Sequence, residues 1–430
     1  MILYDDLFPE GLEDIHSEEY EFKEEIIFQV KKVFKSFGYR QILTPTLEYY
    51  ELYSDSYGTS FKDKMFKLID NNGKILVLRP DVTIPIARMV AVNYKNVKDF
   101  FKFFYVTNVF RLNKFQNGNR REFIQAGIEY IGNSLPECDG EIIAIGIKAL
   151  LKCGLENFHI DIGQIEFLKS IIDEIKINDY QRTMLCNLIE NKNYGDLDEF
   201  LDELNISIDI KNLFKILPKL YGSPCEVINK ARQLILNEKM KKVLDNLEEV
   251  YSILKDYGYD KYILFDLGIA KEIDYYTGII FKGYVNNFGE SVLSGGRYNN
   301  LTEKFGTFKP ACGLGINIDK LVEVIGMYGI KRKSNCYTDY LVLYKEDFRE
   351  KAIKLSEVLR SKGFVVESNS YNGDGKNQIK NLTFRNVKEI IEIENNFLKI
   401  TDMIKNCVSK YSANQFLKLL DNKETVASIH

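Results

Sequence analysis

A long helical stretch divides this chain and constrains its fold more than any other feature. From 166 to 257 the sequence is rich in Leu, Lys, Glu and Asn, with short breaks at 193–195 and 222–224. The segments on either side, 1–165 and 258–333, carry apolar and aromatic runs that are typical of β-strands. The sequence therefore predicts an α+β fold in which a helical insertion separates two β-rich parts.

The last part of the chain, 338–430, has a different pattern. Strand-like and helix-like segments alternate there, at 340–344 (strand), 348–362 (helix), 364–367 (strand), 378–386 (helix) and 388–394 (strand). Such alternation is typical of a small α/β domain. We therefore predict a separate C-terminal domain.

Composition and charge exclude several classes of protein. The formal net charge of −4 over 430 residues gives no basic excess of the kind found in proteins whose main role is to hold nucleic acid. The seven cysteines are dispersed without a CxxC pair and the three histidines lie far apart, so neither a disulfide framework nor a metal site is expected. The N-terminus lacks the pattern of a signal peptide, and no apolar run approaches about 18 residues. These features predict a cytoplasmic protein with reduced thiols and no membrane span.

One predicted strand, within 121–132, carries a polar pattern that suits a small-ligand site. Gln125, Gly127 and Glu129 fall on the same face of a strand because side chains alternate with a period of two. The glycine leaves a gap between an amide and a carboxylate, a layout that suits recognition of an ammonium or imidazole group. A polar outer face of the sheet explains the same pattern equally well.

Polar residues also follow the end of a predicted strand at 75–78. This strand pairs with 65–68 through a turn at 70–73, and it leads into Arg79, Asp81 and Thr83. Loops at strand ends often carry functional residues on a rigid scaffold. The alternative is that Arg79 and Asp81 form a surface ion pair of little energetic consequence.

A third candidate region joins two neighbouring tyrosines to a glycine-rich strand. Tyr275 and Tyr276 precede the apolar run 279–281, and the motif SGGRY follows at 294–298. The glycine pair permits a close backbone approach that a side chain would block. The region is either the wall and floor of a ligand pocket or a hairpin with an aromatic cross-strand pair.

Taken together, these motifs resemble the class II aminoacyl-tRNA synthetases, and within them the histidyl branch. The segment 17–45 is similar to motif 1, the dimer-forming element, 110–123 to motif 2 and 313–321 to motif 3. LRPDVT at 78–83 and IDYYTG at 273–278 resemble the histidine-recognition elements of histidyl-tRNA synthetase. The resemblance implies an antiparallel sheet flanked by helices, and it implies that 338–430 is a reduced anticodon-binding domain.

Three residues depart from the synthetase pattern in the ATP-binding motifs. Asn113 stands where motif 2 has an acid, Lys271 where the family has its catalytic arginine, and Lys320 where motif 3 has an arginine. A lysine ammonium lacks the planar fork with which arginine holds a carboxylate and a phosphate together. The loss of one preorganised donor typically costs on the order of 10²–10³ in rate. Amino-acid activation is therefore not expected, and no catalytic residue is assigned.

The residues that the resemblance assigns to histidine binding are retained better. They are Asp81, Thr83, Arg111, Gln125, Glu129, Tyr275 and Tyr276, with Asp81 one methylene shorter than the acid of the synthetase. A chain that retains the residues of an amino-acid pocket but lacks the residues that bind ATP is more consistent with a sensor of the amino acid than with a catalyst.

This combination resembles the regulatory subunits of ATP phosphoribosyltransferase, which are paralogues of histidyl-tRNA synthetase. The resemblance implies a non-catalytic chain without a cofactor, partnered by the short-form catalytic subunit and responsive to histidine. It also implies a homodimer within a hetero-oligomer. Binding of tRNA is not expected, because no dense basic face with interleaved aromatics is present.

Two other functions remain open from the sequence. One is a histidyl-tRNA synthetase with divergent ATP-site residues, which would exchange pyrophosphate into ATP when histidine is present. The other is a synthetase-like module that binds RNA or senses stress, which would bind uncharged tRNA tightly and with strong salt dependence.

Overall fold

The chain folds into two compact units, Met1–Ile330 and Lys331–His430. The computed structural model describes residues 9–54, 64–112, 120–269, 276–330, 338–371 and 387–427. In the first unit the strands are β1 Arg40–Gln41, β2 Leu47–Tyr49, β3 Lys67–Ile69, β4 Ile75–Leu78, β5 Phe101–Phe110, β6 Glu122–Ile131, β7 Phe158–Gln164, β8 Tyr221–Gly222, β9 Ile263–Asp266, β10 Ile279–Val285, β11 Ser291–Arg297 and β12 Ala311–Asn317. The helices are α1 Ser17–Ser36, α2 Tyr50–Ser54, α3 Thr83–Asn93, α4 Pro136–Lys152, α5 Ile165–Ile172, α6 Asp179–Glu190, α7 Tyr194–Glu203, α8 Ile208–Ile216, α9 Pro224–Arg232, α10 Glu238–Asp256 and α11 Ile318–Met327.

The parts before and after the helical insertion share one large sheet. Within the described ranges its nine strands follow the order β1-β5-β6-β12-β11-β10-β7-β9-β8. From β5 to β7 every neighbouring pair is antiparallel, as the resemblance implied. Towards the two edges β1 pairs with β5, and β7 with β9, in parallel, so the sheet as a whole is mixed.

Helices cover one face of this sheet. The apolar residues of α1 recur at helical spacing and bury Val30 and Phe34, while α4 and α11 bury further aliphatic residues against the same core. Phe104, Ile128 and Leu314 lie directly opposite one another on β5, β6 and β12 and point into this core. Their neighbours along each strand therefore point to the other face.

The helical stretch after β7 forms α5 to α10, as the composition of 166–257 predicted. Two residues within it form β8, which pairs antiparallel with β9 and extends the large sheet. Leu185, Leu188 and Leu213 of these helices belong to the same hydrophobic core as the sheet. The insertion is thus packed continuously with the core, and the domain limits at 165 and 257 remain a prediction.

A small three-stranded sheet, β2-β4-β3, stands beside the large one. Its β3–β4 hairpin forms at the predicted turn, where Asp70 Oδ1 accepts hydrogen bonds from the backbone N–H groups of Asn72 and Lys74. Gly73 takes a positive φ of 77° there, which glycine adopts without steric cost. Strand β4 ends at Leu78 and leads through Arg79–Val82 into α3, which brings the polar residues of that segment to the large sheet.

The second unit has a five-stranded sheet with the order β14-β13-β15-β16-β17. Its strands are β13 Thr338–Tyr344, β14 Val366–Ser370, β15 Val387–Ile393, β16 Leu398–Asp402 and β17 Cys407–Tyr411, and its helices are α12 Arg349–Ser361 and α13 Ala413–Ala427. The first three strands are parallel, in agreement with the predicted alternation. The hairpin β16–β17 and helix α13 were not anticipated, because their short segments mix polar and apolar residues. The predicted helix at 378–386 lies outside the described residues.

Candidate functional site

Four glycines open the face of the large sheet that lies opposite α1, α4 and α11 and against which α3 packs. At each of them a Cβ atom would collide with a side chain from a neighbouring segment: Gly127 under Tyr105, Gly296 under Tyr276, Gly313 under Glu129 and Gly315 under Gln125. These glycines let polar and aromatic side chains lie flat over the strands. The result is a buried polar cluster built on β5, β6, β11 and β12.

Glu129 stands at the centre of this cluster. Its side chain is 1% exposed, and its carboxylate accepts hydrogen bonds from Thr83 Oγ1, at 2.6 Å, and from the hydroxyl of Tyr298. Both donors are neutral. Burial therefore raises the pKa of Glu129 to about 8, against the lowering effect of the two hydrogen bonds, and the nearby Asp81 raises it further.

The start of helix α3 positions Asp81 and Thr83. Asp81 Oδ1 accepts a hydrogen bond from the backbone N–H of Ile84 at 3.0 Å, so this carboxylate satisfies one of the open donors of the first turn. The hydroxyl of Tyr53 donates to the backbone oxygen of Asp81 at 2.9 Å. These bonds hold the helix start in place and direct Thr83 towards Glu129.

Arg79 is structural in this arrangement. It is 3% exposed, and its guanidinium donates to the backbone oxygens of Thr44 and Asn108 and to the hydroxyl of Thr107. The simple surface pair between Arg79 and Asp81 that the sequence left open is therefore not found. Arg79 instead ties the segment before α3 to β5.

The gap expected above Gly127 is filled by the chain itself. Tyr105 lies opposite Gly127 on β5, its ring covers the glycine, and its hydroxyl donates to Gln125 Oε1 at 3.1 Å. The expectation of an open gap between Gln125 and Glu129 was wrong, because a period-two pattern does not reveal which residue the next strand places over a glycine. Tyr105 thus closes the gap between Gln125 and Glu129.

Arg111 lies next to this cluster at the end of β5. Its Nε donates to the backbone oxygen of Pro80 at 2.8 Å, and its guanidinium stands over the ring of Phe123 at 5.5 Å. Burial raises the pKa of Tyr105, and so do the charges of Glu129 and Asp81, whereas the charge of Arg111 lowers it. Arg111 and the two carboxylates therefore act on the same phenol group.

The structure brings most of the sequence-predicted residues together. Asp81, Thr83, Glu129, Gln125 and Arg111 meet around Tyr105, and Tyr276 lies over Gly296 on the adjoining strand. Tyr275, Asn113 and Lys271 lie outside the described residues. Sequence reasoning missed Tyr105 and Tyr298 as members of this cluster, although Tyr298 belongs to the SGGRY motif that it had singled out.

Lys320 lies on α11 and is paired within the chain. Its Nζ forms an ion pair with Glu290, and its backbone N–H donates to Asn317 Oδ1 at 3.0 Å, which caps the helix. The charge of the lysine that replaces the motif 3 arginine is therefore matched by a carboxylate.

Arg297 of the SGGRY motif does not face the candidate site. Its guanidinium lies on the helix side of the sheet, where Nε and Nη2 donate to the Asp139 carboxylate at 2.9–3.1 Å. Further bonds reach the backbone oxygens of Asn133 and Leu135. Because side chains alternate along β11, Gly296 lies on the face of the candidate site and Arg297 points to the opposite face. Adjacent residues of the motif thus contribute to the candidate site and to the core.

Two negative findings apply to the residues that the structure describes. Their His, Cys, Asp and Glu side chains form no group of three or more that could hold a metal ion. None of the described helices is long and apolar enough to cross a membrane.

The raised pKa of Glu129 makes the stability of the ligand-free protein depend on pH. Between the ordinary pKa of 4.5 and the native pKa of about 8, the native state holds a proton that the unfolded chain has released. Stability therefore falls as pH rises through this range. Glu129→Gln removes this effect. Urea unfolding should therefore show that the free energy of unfolding of the variant, relative to that of the wild type, rises by about 3 kcal/mol between pH 5.5 and pH 8.5. An identical pH dependence in both proteins would contradict this.

Comparison with known proteins gives consistent matches over nearly the whole chain. The histidyl-tRNA synthetase family matches residues 11–321. An ATP phosphoribosyltransferase regulatory subunit from Acetivibrio thermocellus is 37% identical over 411 residues, which cover 95% of this chain and 98% of the relative. The match continues into the second unit.

Solved structures agree with the sequence matches. A crystal structure described as an ATP phosphoribosyltransferase regulatory subunit/histidyl-tRNA synthetase from Bacillus halodurans has a TM-score of 0.79 and 34% identity, covering 90% of this chain and 97% of that one. Histidyl-tRNA synthetase from Nostoc sp. PCC 7120 has a TM-score of 0.80 over 98% of this chain and 100% of that one. Its identity of 20% supports the fold alone.

Proposed function

Since the chain belongs to the family of ATP phosphoribosyltransferase regulatory subunits, we propose that it binds histidine without activating it and regulates a separate catalytic chain. In this proposal the short-form catalytic subunit carries out the phosphoribosyl transfer. This chain activates it, and histidine reverses the activation. The two chains form a hetero-oligomer built on a homodimer of this chain.

The observation that carries the proposal is the buried carboxylate of Glu129, whose hydrogen-bond donors in the described part of the chain are the neutral hydroxyls of Thr83 and Tyr298. A pKa of about 8 means that this carboxyl holds a proton at neutral pH when no cation is near. A protonated amine or imidazole that enters the site supplies the missing positive charge and favours the ionised form. Histidine carries both groups, so it is the ligand that we assign to this site.

The ATP side of the fold supports binding without chemistry. Amino-acid activation needs preorganised positive charge at the α-phosphate of ATP. Lys320 is already neutralised by Glu290 in this chain, and an ammonium lacks the fork geometry of the arginine it replaces. Asn113 and Lys271 add two further departures at the level of sequence.

Exchange of radioactive pyrophosphate into ATP in the presence of histidine separates this proposal from a divergent histidyl-tRNA synthetase. We expect no histidine-dependent exchange above background, while calorimetry on the same preparation shows histidine binding. Exchange at the turnover of a working synthetase would overturn the proposal and establish the alternative.

The homodimer is proposed to form through the outer face of the small sheet β2-β4-β3. Leu47, Tyr49 and Leu68 are 44–49% exposed on this face, and Leu76 and Leu78 of β4 lie between them. A contiguous apolar face of this kind marks an interaction surface. It belongs to the segment that follows the motif 1 resemblance, which favours a second copy of this chain as the occupant.

A charge placed on this face is expected to weaken the dimer. Leu68→Glu buries an unpaired carboxylate in the interface and should raise the dimer dissociation constant at least about tenfold. Sedimentation velocity over a range of concentrations measures the change. Tyr180→Glu, at a 77% exposed position on α6, is the matched control and should leave the dimer intact. Equal dissociation constants for the two variants would place the interface elsewhere.

A further inference from the structure

We infer that Arg120 and Arg121 form an anion-binding pair and that residues 9–14 of the same chain occupy it. We call residues 9–14 the acidic strap. The two arginines directly precede β6. Glu13 pairs with Arg120 and Glu10 pairs with Arg121. The strap therefore excludes small polyanions from this pair, and the inference does not depend on histidine binding.

The local charge balance explains why an anion belongs at this place. Arg120 Nη1 and Lys23 Nζ both lie 2.6 Å from Oδ1 of the same carboxylate, that of Asp319. Asp319 Oδ2 accepts a further hydrogen bond from the backbone N–H of Ile124. A single carboxylate thus serves two cations, and Lys23 is 1% exposed and shielded from solvent counterions.

The positive charge of this cluster is matched by carboxylates only when the acidic strap is in place. Glu19 of α1 lies 3.7 Å from Arg120. Among the described residues, the ion pairs that remain to Lys23, Arg120 and Arg121 without the strap are those with Asp319 and Glu19. Glu10 and Glu13 remove this excess of positive charge.

The backbone of the strap is fitted to Arg121. The backbone N–H of Arg121 donates to the oxygen of Gly11 at 2.9 Å, and the N–H of Leu12 donates to the oxygen of Pro9, which forms a turn. Gly11 has a φ of +77°, and a Cβ atom there would stand 2.8 Å from Cγ of Arg121. Only glycine permits this close approach without strain.

The contacts suit a reversible closure. The paired side chains are 23–52% exposed, so salt screens their attraction and each pair contributes little by itself. A guanidinium offers planar donors that match phosphate oxygens. A small polyanion therefore competes with the strap for the same two arginines.

The test compares Glu10→Gln/Glu13→Gln with the wild-type chain, using inorganic tripolyphosphate as the probe. Calorimetry at low salt should show a dissociation constant at least about tenfold lower for the double variant. The backbone amide of Arg121 should also exchange at least about tenfold faster, because it loses its acceptor on Gly11. Glu21→Gln/Glu24→Gln, on the exposed side of α1, makes the same change in net charge and should behave as the wild type.

Two further variants assign the effect to this site. Gly11→Val keeps both acids but blocks seating of the strap, and it should accelerate exchange of the Arg121 amide in the same direction. Adding Arg120→Gln and Arg121→Gln to the strap variant should abolish the gain in tripolyphosphate binding. The inference is overturned if the strap variant binds tripolyphosphate no better than the wild type, or if the gain survives loss of both arginines.

Discussion

Replacing Glu129 by glutamine is expected to weaken histidine binding on the order of 10- to 100-fold. The substitution keeps the size of the side chain and an oxygen that can accept from Thr83 and Tyr298, but it removes the negative charge. A hydrogen bond to a charged group is worth about 1.5–3 kcal/mol, which corresponds to this range of affinity. The ligand would then hold its positive charge in a buried site without an anionic partner. Calorimetry at neutral pH measures the loss.

Glu122→Gln is the matched control for this experiment. Glu122 begins the same strand but points to the opposite face, where its carboxylate accepts a hydrogen bond from Asn108. Its replacement should leave histidine affinity unchanged. If Glu129→Gln binds histidine as tightly as the wild type, the synthetase-like pocket is vestigial and histidine acts at another site.

Removing the Arg297 side chain is expected to destabilise the first unit by about 3–5 kcal/mol. Arg297→Met leaves the carboxylate of Asp139 buried at 2% exposure without its bidentate partner. It also removes the hydrogen bonds that the guanidinium donates to the backbone oxygens of Asn133 and Leu135. Burial already raises the pKa of Asp139 to about 6 with the arginine present, so its ionised form depends on that partner. Urea unfolding at pH 7.5 measures the change.

The double variant Arg297→Met/Asp139→Leu separates the lost ion pair from a loss of packing. Replacement of both partners by apolar residues of similar volume is often neutral, so this variant should recover much of the stability. A small effect of Arg297→Met alone, under about 1 kcal/mol, would show that the pair is not an important part of the core.

The fold class and the family could be predicted because their signals are local and long. Three features can be recognised without knowledge of tertiary contacts: the ten-residue strands β5 and β6, the helical composition of the insertion, and the motif segments. The short edge strand β8 and the β16–β17 hairpin escaped prediction, since two to five residues of mixed polarity carry no clear periodicity.

The candidate site could be predicted only in part, because its chemistry depends on strand register. Period-two alternation placed Gln125 and Glu129 on one face, but only the pairing of β5 with β6 sets Tyr105 above Gly127. The same limit applies to Arg297, whose direction follows from the position of β11 in the sheet. The sequence predicted Asp81 at the site. The hydrogen bond that its carboxylate accepts from the first turn of α3 could be found only from the structure.

Formation of phosphoribosyl-ATP by the short-form catalytic subunit of the same organism tests the central claim most directly. The rate is measured with the catalytic subunit alone, with this chain added, and with histidine added to the mixture. We predict a large activation by this chain that histidine reverses, and a higher histidine requirement when Glu129→Gln is used instead. No activation of a catalytic subunit that is shown to be folded would contradict the account.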